Sequence, residues 1–404
     1  MGPARPGHRG ALWRRPAVSD RRARWRARLV RVAPGAGRAA TRLPAPVSLP
    51  AGPRVVLLRP DHLGDVLFVG PAVRRLRSAW PDAHVTLLVG PWSAPVAARL
   101  PGVDAVETLA FPWFDRRPKG PVWRPYTRLV RAARRLRRRF DVAVVLRDDD
   151  WWGAWLTALA GIPVRAGHAD PAVLPFVTHS LPAAARPDHS AAAGVALVAA
   201  LCGDGAPATP ASDPLQLMVD AEDRTSAAAL LAGAGRPIAI HAGSGAPVKR
   251  WRAEAWAAVI AALAAPGEPV VLTGSDSERR LASDIAAQTD RPVRNLAGRT
   301  ELGTLAAVFA RCRVVLGPDS GPLHLAVAVG TPTVHLFGPA SACRFGPWGP
   351  PGRHAVVRAD VPCVPCGRLD WPNPREHPCV RVIDPARVIV AARSLRASDA
   401  PPII

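Results

Sequence analysis

The sequence predicts an α/β protein with two doubly wound parallel sheets, one in each of two domains. Short apolar segments of strand length alternate with segments of helical periodicity between residues 54 and 166, and the alternation begins again at Pro237. Residues 203–220 separate the two regions and are rich in Gly, Pro and Asp, without periodicity. Such alternation is typical of parallel sheets with right-handed crossovers, and 404 residues exceed one ordinary core.

The apolar pattern gives the elements of both domains in order. In the first domain a helix is predicted over about Val66–Trp80, and the predicted strands are Arg54–Leu58, His84–Val89, Ala105–Leu109, Asp141–Leu146 and Val164–Ala166. In the second domain the predicted strands are 237–241, 269–273, 313–316 and 332–336, and the predicted helices are 253–264, 277–288, 301–310 and 321–329. Ligands of open α/β sheets bind beyond the carboxyl ends of strands, so the loops after strands are the candidates for function.

These patterns divide the chain into five segments. They are a basic tail (1–50), an N-terminal Rossmann-like domain (51–202), a linker (203–220), a C-terminal Rossmann-like domain (221–384) and a C-terminal helix with its tail (385–404). We expect the basic tail to be disordered, because its arginines stand among Pro, Gly and Ala without a periodic apolar face. The sequence leaves open whether the C-terminal helix packs back on the N-terminal domain.

The chain is strongly basic, with a formal net charge of +22, and nearly all of its basic residues are arginine. Its only lysines are Lys119 and Lys249. Because arginine is used almost everywhere else, a lysine in this chain is a candidate functional residue. A second run of arginines lies between Arg131 and Arg139 on a predicted helix. Two interpretations stay open: attraction to an anionic membrane or phosphorylated acceptor, and a solvated basic face that follows from biased composition. No nucleic-acid module accompanies the charge, so we expect no specific nucleic-acid partner.

The apolar residues predict a cytoplasmic protein. No stretch approaches the roughly 20 apolar residues that span a bilayer, and the N-terminus lacks the apolar core of a secretory signal. Peripheral contact with the inner face of the cytoplasmic membrane is compatible with the basic regions. Six cysteines in a chain of this length do not indicate a disulfide scaffold.

The loop after the first predicted strand contains Gly64 and Asp65. We expect Gly64 to permit a tight turn and Asp65 to stand at a helix N-terminus that faces the space between the domains. An aspartate there is commonly an N-cap. The functional alternative is a general base that takes a proton from an incoming hydroxyl group.

Two loops of the second domain carry polar residues directly after strands. In the first, Gly243 and Gly245 flank Ser244, and Lys249 follows; together they suit a diphosphate whose charge grows as a bond to it breaks. The alternative is that Lys249 is a solvated surface residue. In the second, Glu278 is suited to accept hydrogen bonds from ribose hydroxyls, or it is an acidic residue that complements a helix dipole.

The most informative segment begins at Val314, where an apolar strand leads into Asp319-Ser-Gly-Pro-Leu-His324 and a helix. Small residues at a strand-to-helix turn leave the first helical N–H groups open to a phosphate. Asp319, Ser320 and His324 can then reach the rest of a nucleotide. The alternative is an ordinary βαβ unit in which Asp319 and Ser320 cap the helix and His324 is a surface histidine with its hydrogen bonds satisfied.

In order and spacing these loops resemble glycosyltransferase family 9, whose best-known members are the ADP-heptose:lipopolysaccharide heptosyltransferases. The resemblance covers about residues 52–395. Its most specific parts are Arg59 to Asp65, Gly243 to Trp251, and Asp319 to His324 followed by Gly330-Thr-Pro-Thr.

The resemblance implies a GT-B architecture, in which two Rossmann-like domains face each other across a cleft. It implies a nucleotide-diphospho-sugar donor such as ADP-heptose on the C-terminal domain, a glycolipid or cell-envelope glycan acceptor on the N-terminal domain, and inverting transfer without a metal ion or other cofactor. Carried over by position, the roles are catalytic base for Asp65, phosphate and leaving-group contacts for Lys249 and Ser244, a ribose contact for Glu278, and donor-sugar and pyrophosphate contacts for Asp319, Ser320, Gly321 and His324.

Cysteines near the C-terminal end depart from the family pattern. Cys363-Val-Pro-Cys366 is followed by His377-Pro-Cys379, and one cysteine expected between these pairs is missing. Three thiols and an imidazole could hold a structural zinc ion, or the thiols could be reduced side chains in a Pro-rich loop.

The main hypothesis is therefore a glycosyltransferase that moves a heptose or related sugar. A nucleotide-sugar epimerase and a non-catalytic protein that binds an anionic envelope or RNA are the alternatives. A dinucleotide-dependent oxidoreductase is disfavoured, since the first strand does not lead into Gly-x-Gly-x-x-Gly. Nothing in the sequence itself specifies the sugar, the base or the acceptor.

Overall fold

The computed structural model describes residues 40–43, 48–115, 120–204, 207–264, 269–371, 373 and 377–396. The prediction of disorder for residues 1–39 lies outside this part of the chain. For residues 40–43 it is wrong, because Thr41 and Arg42 form a short strand parallel to the segment at His179, and Leu43 is buried. The tail contributes an edge strand here, and this strand pairs with its neighbour through backbone groups.

The N-terminal sheet has seven parallel strands in the order β1-β7-β6-β5-β2-β3-β4. Their bounds are β1 Thr41–Arg42, β2 Arg54–Arg59, β3 His84–Val89, β4 Ala105–Thr108, β5 Val142–Val145, β6 Val164–His168 and β7 His179–Leu181. The core strands are apolar on both faces, as expected for a parallel sheet with helices on each side.

The C-terminal sheet has six parallel strands in the order β10-β9-β8-β11-β12-β13. Their bounds are β8 Ile238–His241, β9 Val270–Thr273, β10 Val293–Asn295, β11 Val314–Pro318, β12 Thr333–Phe337 and β13 His354–Arg358. In each sheet the strand order reverses beside the first long strand, between β2 and β5 and between β8 and β11. Open α/β sheets bind ligands at such switch points.

The α-helices of the described residues pack on these sheets. They are α1 Leu63–Leu67, α2 Gly70–Ala79, α3 Ala94–Ala97, α4 Arg124–Leu136, α5 Trp151–Leu159, α6 Ser190–Cys202, α7 Ala221–Leu230, α8 Ala253–Leu263, α9 Arg279–Ala286, α10 Leu302–Ala310, α11 Gly321–Ala328, α12 Ala342–Phe345, α13 Pro378–Arg381 and α14 Pro385–Arg396. The single helix predicted over 66–80 is two helices. Pro71 stands in the first turn of the second one, where its missing N–H leaves no intrahelical bond unmade.

The C-terminal helix α14 packs on its own domain. Val388, Ala392 and Leu395 are buried where this helix contacts α8 and strands β11, β12 and β13. Their spacing of four and three residues puts them on one helix face. The possibility that this helix packs back on the N-terminal domain is therefore corrected, because its apolar face is used within the C-terminal core.

The segment between α6 and α7 is held against the C-terminal domain rather than extended. The Trp348 indole N–H donates to the Asp213 carbonyl at 2.8 Å, and the Leu215 N–H donates to the Trp348 carbonyl at 3.0 Å. Arg99 of the N-terminal domain also pairs with Asp223 of α7 at 2.6 Å. These contacts fix how the two sheets face each other.

Candidate active site

The switch points of the two sheets meet where the first turns of α1 and α11 pack together. A Cβ atom added to Gly64 would lie 3.1 Å from the Gly321 Cα and 3.1 Å from the His324 Cδ2, and one added to Gly321 would lie 3.2 Å from the Gly64 nitrogen. Gly64 lies inside α1 and does not have a positive φ. Its expected role in a tight turn is corrected: the missing side chain lets the two domains approach.

Asp65 lies in the first turn of α1, next to this contact. It is not the N-cap, which is His62. The carboxylate is 31% exposed, and its Oδ1 accepts from the Arg59 guanidinium at 3.3 Å. Burial and the neighbouring Asp61 raise the pKa of Asp65, against the opposing effects of the Arg59 and Arg147 guanidinium groups. A carboxylate with a raised pKa at a domain contact is a stronger proton acceptor than an ordinary aspartate.

The contact between Arg59 and Asp65 is the weaker of two that Arg59 makes with carboxylates. The Arg59 Nε lies 2.8 Å from the Asp61 Oδ2, and both of these side chains are about 93% buried or more. Asp61 also pairs with Arg147 from the loop after β5. Arg59 therefore contacts both carboxylates, and its positive charge favours the ionised form of Asp65.

Lys249 lies on the loop after β8 in the C-terminal domain, and it is paired. Its Nζ lies 2.6 Å from the Asp319 Oδ2, and the His324 Nε2 lies 3.6 Å from the Asp319 Oδ1. Although burial opposes ionisation, Lys249 and His324 hold the pKa of Asp319 at about 2. The structure thus joins two loops that the sequence treated separately, and it shows Lys249 as part of an ion pair rather than as an isolated cation.

Two buried polar atoms at the start of α11 have no hydrogen-bond partner within the described part of the chain. They are the Ser320 Oγ and the His324 Nδ1. Ser320 is the residue before the helix, and its side chain does not cap it. Pro322 has no N–H, and the Leu323 N–H donates to the Ser320 carbonyl at 3.1 Å, so of the first helical turn the Gly321 N–H is the donor left for a ligand, fewer than the sequence predicts. Ser244, on the loop after β8, is also buried, and its backbone carbonyl accepts from Arg250 at 3.2 Å.

Glu278 packs against Gly243. A Cβ atom on Gly243 would lie 2.0 Å from the Glu278 Oε1, so this glycine provides room for the carboxylate rather than an open backbone. The Ser275 N–H and Oγ both donate to the Glu278 Oε2 at 2.8 Å. Although burial opposes ionisation, the hydrogen bond from the Ser275 backbone and the nearby His241 keep the pKa of Glu278 below its usual value. Glu278 is thus an ionised acceptor at the carboxyl ends of β8 and β9.

The loop after β5 contributes residues that the sequence analysis did not select. Asp148 accepts two hydrogen bonds from Arg344 of the C-terminal domain, at 2.9 and 3.0 Å, and also pairs with Arg186. Although burial opposes ionisation, these two guanidinium groups hold the pKa of Asp148 at about 2. The signal was present, because the polar run from Arg147 to Asp150 directly follows a predicted strand.

A histidine also joins the domains. The His189 Nδ1 accepts from the Ala191 N–H at 3.1 Å, so its Nε2 carries the proton and donates to the Gly346 carbonyl at 3.1 Å. The imidazole stacks on Trp348 at 4.4 Å between ring centroids. Burial lowers the pKa of His189 to about 4, so it is neutral near pH 7. The sequence alone could not predict the contact of His189 with Gly346, since a histidine directly before a helix is expected only to cap that helix.

The fold and the site define a glycosyltransferase of the GT-B class. A sequence model of glycosyltransferase family 9 (heptosyltransferase) matches residues 129–373, and the chain belongs to this family. Of the solved structures, the family 9 glycosyltransferase from Veillonella parvula has a TM-score of 0.70 and 24% identity, over 86% of this chain and 98% of that one. At this identity the likeness shows the fold.

Two curated relatives are heptosyltransferases. Lipopolysaccharide heptosyltransferase 2 of Escherichia coli K12 is 27% identical over 308 residues, which are 71% of this chain and 83% of the relative. Lipooligosaccharide heptosyltransferase 2 of Campylobacter jejuni is 29% identical over 150 residues, and this match spans 36% of the chain but less than half (46%) of that relative's length. Family membership favours the main hypothesis over an epimerase, an oxidoreductase or a non-catalytic binding protein.

Among the residues that the structure describes, no helix combines the length and the apolar character needed to cross a bilayer. The four candidate zinc ligands lie apart from the domain contact, in the loop after β13 and at the start of α13. They are considered separately below.

Proposed function

We propose that the protein transfers a heptose or related sugar, with inversion and without a catalytic metal ion, from a nucleoside diphosphate to a hydroxyl group of a lipopolysaccharide-type glycolipid. The observation that carries the proposal is the contact of α1 with α11. It brings a carboxylate with a raised pKa, Asp65, next to a helix N-terminus that is open to a diphosphate.

Asp65 is the general base of this reaction. It accepts the proton of the acceptor hydroxyl as the oxygen forms a bond to the anomeric carbon, on the face opposite the leaving group. Two features support the role: Asp65 is partly exposed at the domain contact, and burial beside Asp61 raises its pKa. Such a base contributes about 10²–10⁴-fold to the rate.

The diphosphate departs on the C-terminal side as its bond to the anomeric carbon breaks. The Gly321 N–H at the start of α11 and the Ser320 hydroxyl are suited to its oxygens, and Lys249 compensates the charge that develops. Lys249 must then be shared between Asp319 and the phosphate. The buried Asp319 keeps the ammonium group oriented before the donor binds, which reduces reorganisation during the reaction.

The remaining donor contacts follow from the same strand ends. Glu278 is ionised and half-buried, so it can accept hydrogen bonds from ribose hydroxyls, and Ser244 can donate to a phosphate. The donor is an ADP-heptose type of compound, and the acceptor is a lipopolysaccharide-type glycolipid. The heptose and the lipopolysaccharide come from the names of the relatives and the ADP group from the family resemblance, while the sequence of this chain does not specify the sugar.

We also propose that α4 contacts an anionic membrane on which the glycolipid is carried. Arg124, Arg128, Arg131 and Arg135 line one groove of about 310 Å³ along this helix. Trp123, just before the helix, is 62% exposed. Arginines beside an exposed tryptophan suit a headgroup region, where the cation meets phosphate and the ring lies at the interface. Cosedimentation with vesicles that contain phosphatidylglycerol, but not with pure phosphatidylcholine vesicles, would support this; equal binding to both would refute it.

The transfer reaction can be tested with a panel of nucleotide sugars that begins with ADP-heptose and includes GDP- and UDP-hexoses. Transfer should proceed without added divalent cation. Asp65→Asn should reduce kcat by about 10²–10⁴-fold and leave donor binding nearly unchanged, since the base is needed only for proton transfer. Asp82→Asn, at an exposed turn of the same domain, is the matched control. Full turnover by Asp65→Asn would remove Asp65 as the base.

A further inference from the structure

A second cluster of reactive side chains lies away from the domain contact, where the loop after β13 returns to the end of β12. The Cys366 Sγ lies 3.4 Å from the His377 Nε2, and the Cys379 Sγ lies 2.8 Å from the His377 Nδ1. One ligand atom from each of these three residues falls within 4.8 Å of the others. Cys363 completes a Cys-x-x-Cys pair with Cys366, and its sulfur is close enough to act electrostatically on Cys379.

One of the two sulfur–nitrogen contacts has the spacing of tetrahedral coordination. The Cys379 Sγ instead lies 2.8 Å from the other ring nitrogen, Nδ1, so the His377 ring must turn for a single nitrogen to face both sulfurs. Metal–sulfur and metal–nitrogen bonds of about 2.3 and 2.0–2.1 Å give sulfur–nitrogen edges of about 3.6 Å in a tetrahedron. The separation of Cys366 from the His377 Nε2 is 3.4 Å, close to such an edge. A pair of cysteines two residues apart, followed by a second ligand pair, is also a common arrangement in structural zinc sites.

The cluster is enclosed as structural metal sites are. Cys379 is fully buried and His377 is 2% exposed. Trp371 lies edge-on to the His377 ring at 4.7 Å, and the Arg368 guanidinium lies over Trp371 at 4.3 Å. A Cβ atom on Gly338, just after β12, would lie 2.7 Å from the Cys379 Sγ, so the chain leaves room for this sulfur. These contacts would orient the ligands and exclude water from them.

We propose that Cys363, Cys366, His377 and Cys379 bind one structural zinc ion. Cys363 is exposed and lies outside the close group of three, so its side chain must turn inward to supply the fourth ligand. Three thiolates and one neutral imidazole are a common donor set for tetrahedral zinc. The reaction releases three thiol protons and no electron transfer is involved. The site is distinct from the domain contact, and it does not depend on the proposed transferase activity.

The position of the site indicates what the ion stabilises. The Gly367 N–H donates to the Pro339 carbonyl at 2.8 Å, so the metal-binding loop is tied to the segment after β12. That segment leads into α12, which carries Arg344, the partner of Asp148 across the domains. Zinc would therefore fix the loop on which one of the interdomain ion pairs depends.

Metal analysis of the full-length protein, purified without chelator or affinity metal, tests the proposal. About one zinc per chain is expected, and a mercurial thiol reagent should release it stoichiometrically. His377→Ala and Cys379→Ser should lose the zinc and melt at a lower temperature. Cys343→Ser, at an exposed cysteine of α12 outside the cluster, should retain both. Cobalt substituted for zinc should give the absorption of a tetrahedral thiolate site.

The mercurial release is measured on the unaltered chain, so it decides the question even if the variants fail to fold. Protein that contains no zinc after exposure to zinc under reducing conditions would overturn the proposal. A disulfide between Cys366 and Cys379, or a stoichiometric metal other than zinc, would overturn it as well.

Discussion

Replacement of Gly64 by alanine tests whether the close approach of the two domains is needed for catalysis. The new methyl carbon would lie 3.1 Å from the Gly321 Cα and 3.1 Å from the His324 Cδ2. Carbon atoms in ordinary contact are about 3.5–4.0 Å apart, so the domains must separate by about 0.4–0.9 Å. Overpacking of this kind costs about 1–3 kcal/mol, and alanine in place of glycine in a helix returns up to about 1 kcal/mol.

The expected result is a large loss of rate with a small loss of stability. A displacement of about 1 Å between reacting groups can cost about 10²-fold, so we expect Gly64→Ala to reduce kcat by about 10–100-fold. The free energy of unfolding should fall by no more than about 2 kcal/mol. The assay measures transfer from ADP-heptose to a glycolipid acceptor, together with thermal denaturation of the same preparations.

Gly194→Ala is the matched control, because Gly194 lies in helix α6 and its added Cβ would be 3.7 Å from the nearest side chains, those of Ala72 and Leu146. This variant should keep its rate and unfold at the same or a slightly higher temperature. If Gly64→Ala keeps the kcat of the unaltered enzyme, the domains do not need this contact in the transition state, and the assignment of roles across it fails.

Three further outcomes are expected. The low-pH limb of kcat/KM should lie above the ordinary pKa of an aspartate, because burial and Asp61 raise the pKa of Asp65 and the base must be ionised. Arg147→Gln should move this limb to higher pH, since the positive charge of Arg147 lowers the pKa of Asp65. Lys249→Ala should lower kcat and destabilise the fold by about 2 kcal/mol near pH 7. The difference should be full above about pH 4 and be lost as the pH falls through about 2, the pKa of Asp319 in the unaltered protein. Equal melting temperatures at pH 7 would contradict the pairing. Arg344→Gln should lower stability by about 1 kcal/mol, measured by denaturant unfolding, because Arg186 still compensates the aspartate.

The sequence could predict the sheets because parallel strands must be apolar on both faces. Val55–Leu58 and Val314–Leu316 are such segments, and each ends at a switch point. The sequence pattern misses β1, β7, β10 and β13, and the last two are edge strands whose burial depends on their neighbours. Val293–Asn295 is only partly buried, and His354–Arg358 alternates weakly, so neither has an apolar pattern of its own. Each is a strand because the adjacent strand offers it a free edge.

The strand-end rule selected most of the site but not its pairings. It identified Asp65, Lys249 and Asp319 from their position after apolar strands. It could not indicate that Lys249 and Asp319, 70 residues apart, form an ion pair, because this depends on the order β8-β11 in the sheet. A glycine in the sequence can indicate that a side chain would not fit, but the sequence does not say which neighbour excludes it. At Gly64 the neighbours are Gly321 and His324 of the other domain.

The two ion pairs that border the cleft differ in what they can contribute to function. Asp148 and Arg344 belong to different domains, so their pairing favours one relative position of the two sheets. Lys249 and Asp319 belong to the same domain, so their pairing persists whatever that position is. In the proposed mechanism the donor diphosphate lies near Lys249 and α11, so it would compete only for the second pair. Donor binding would then replace the partner of Lys249 without opening the domains, and Asp65 would stay beside the anomeric carbon while the leaving group becomes more negative.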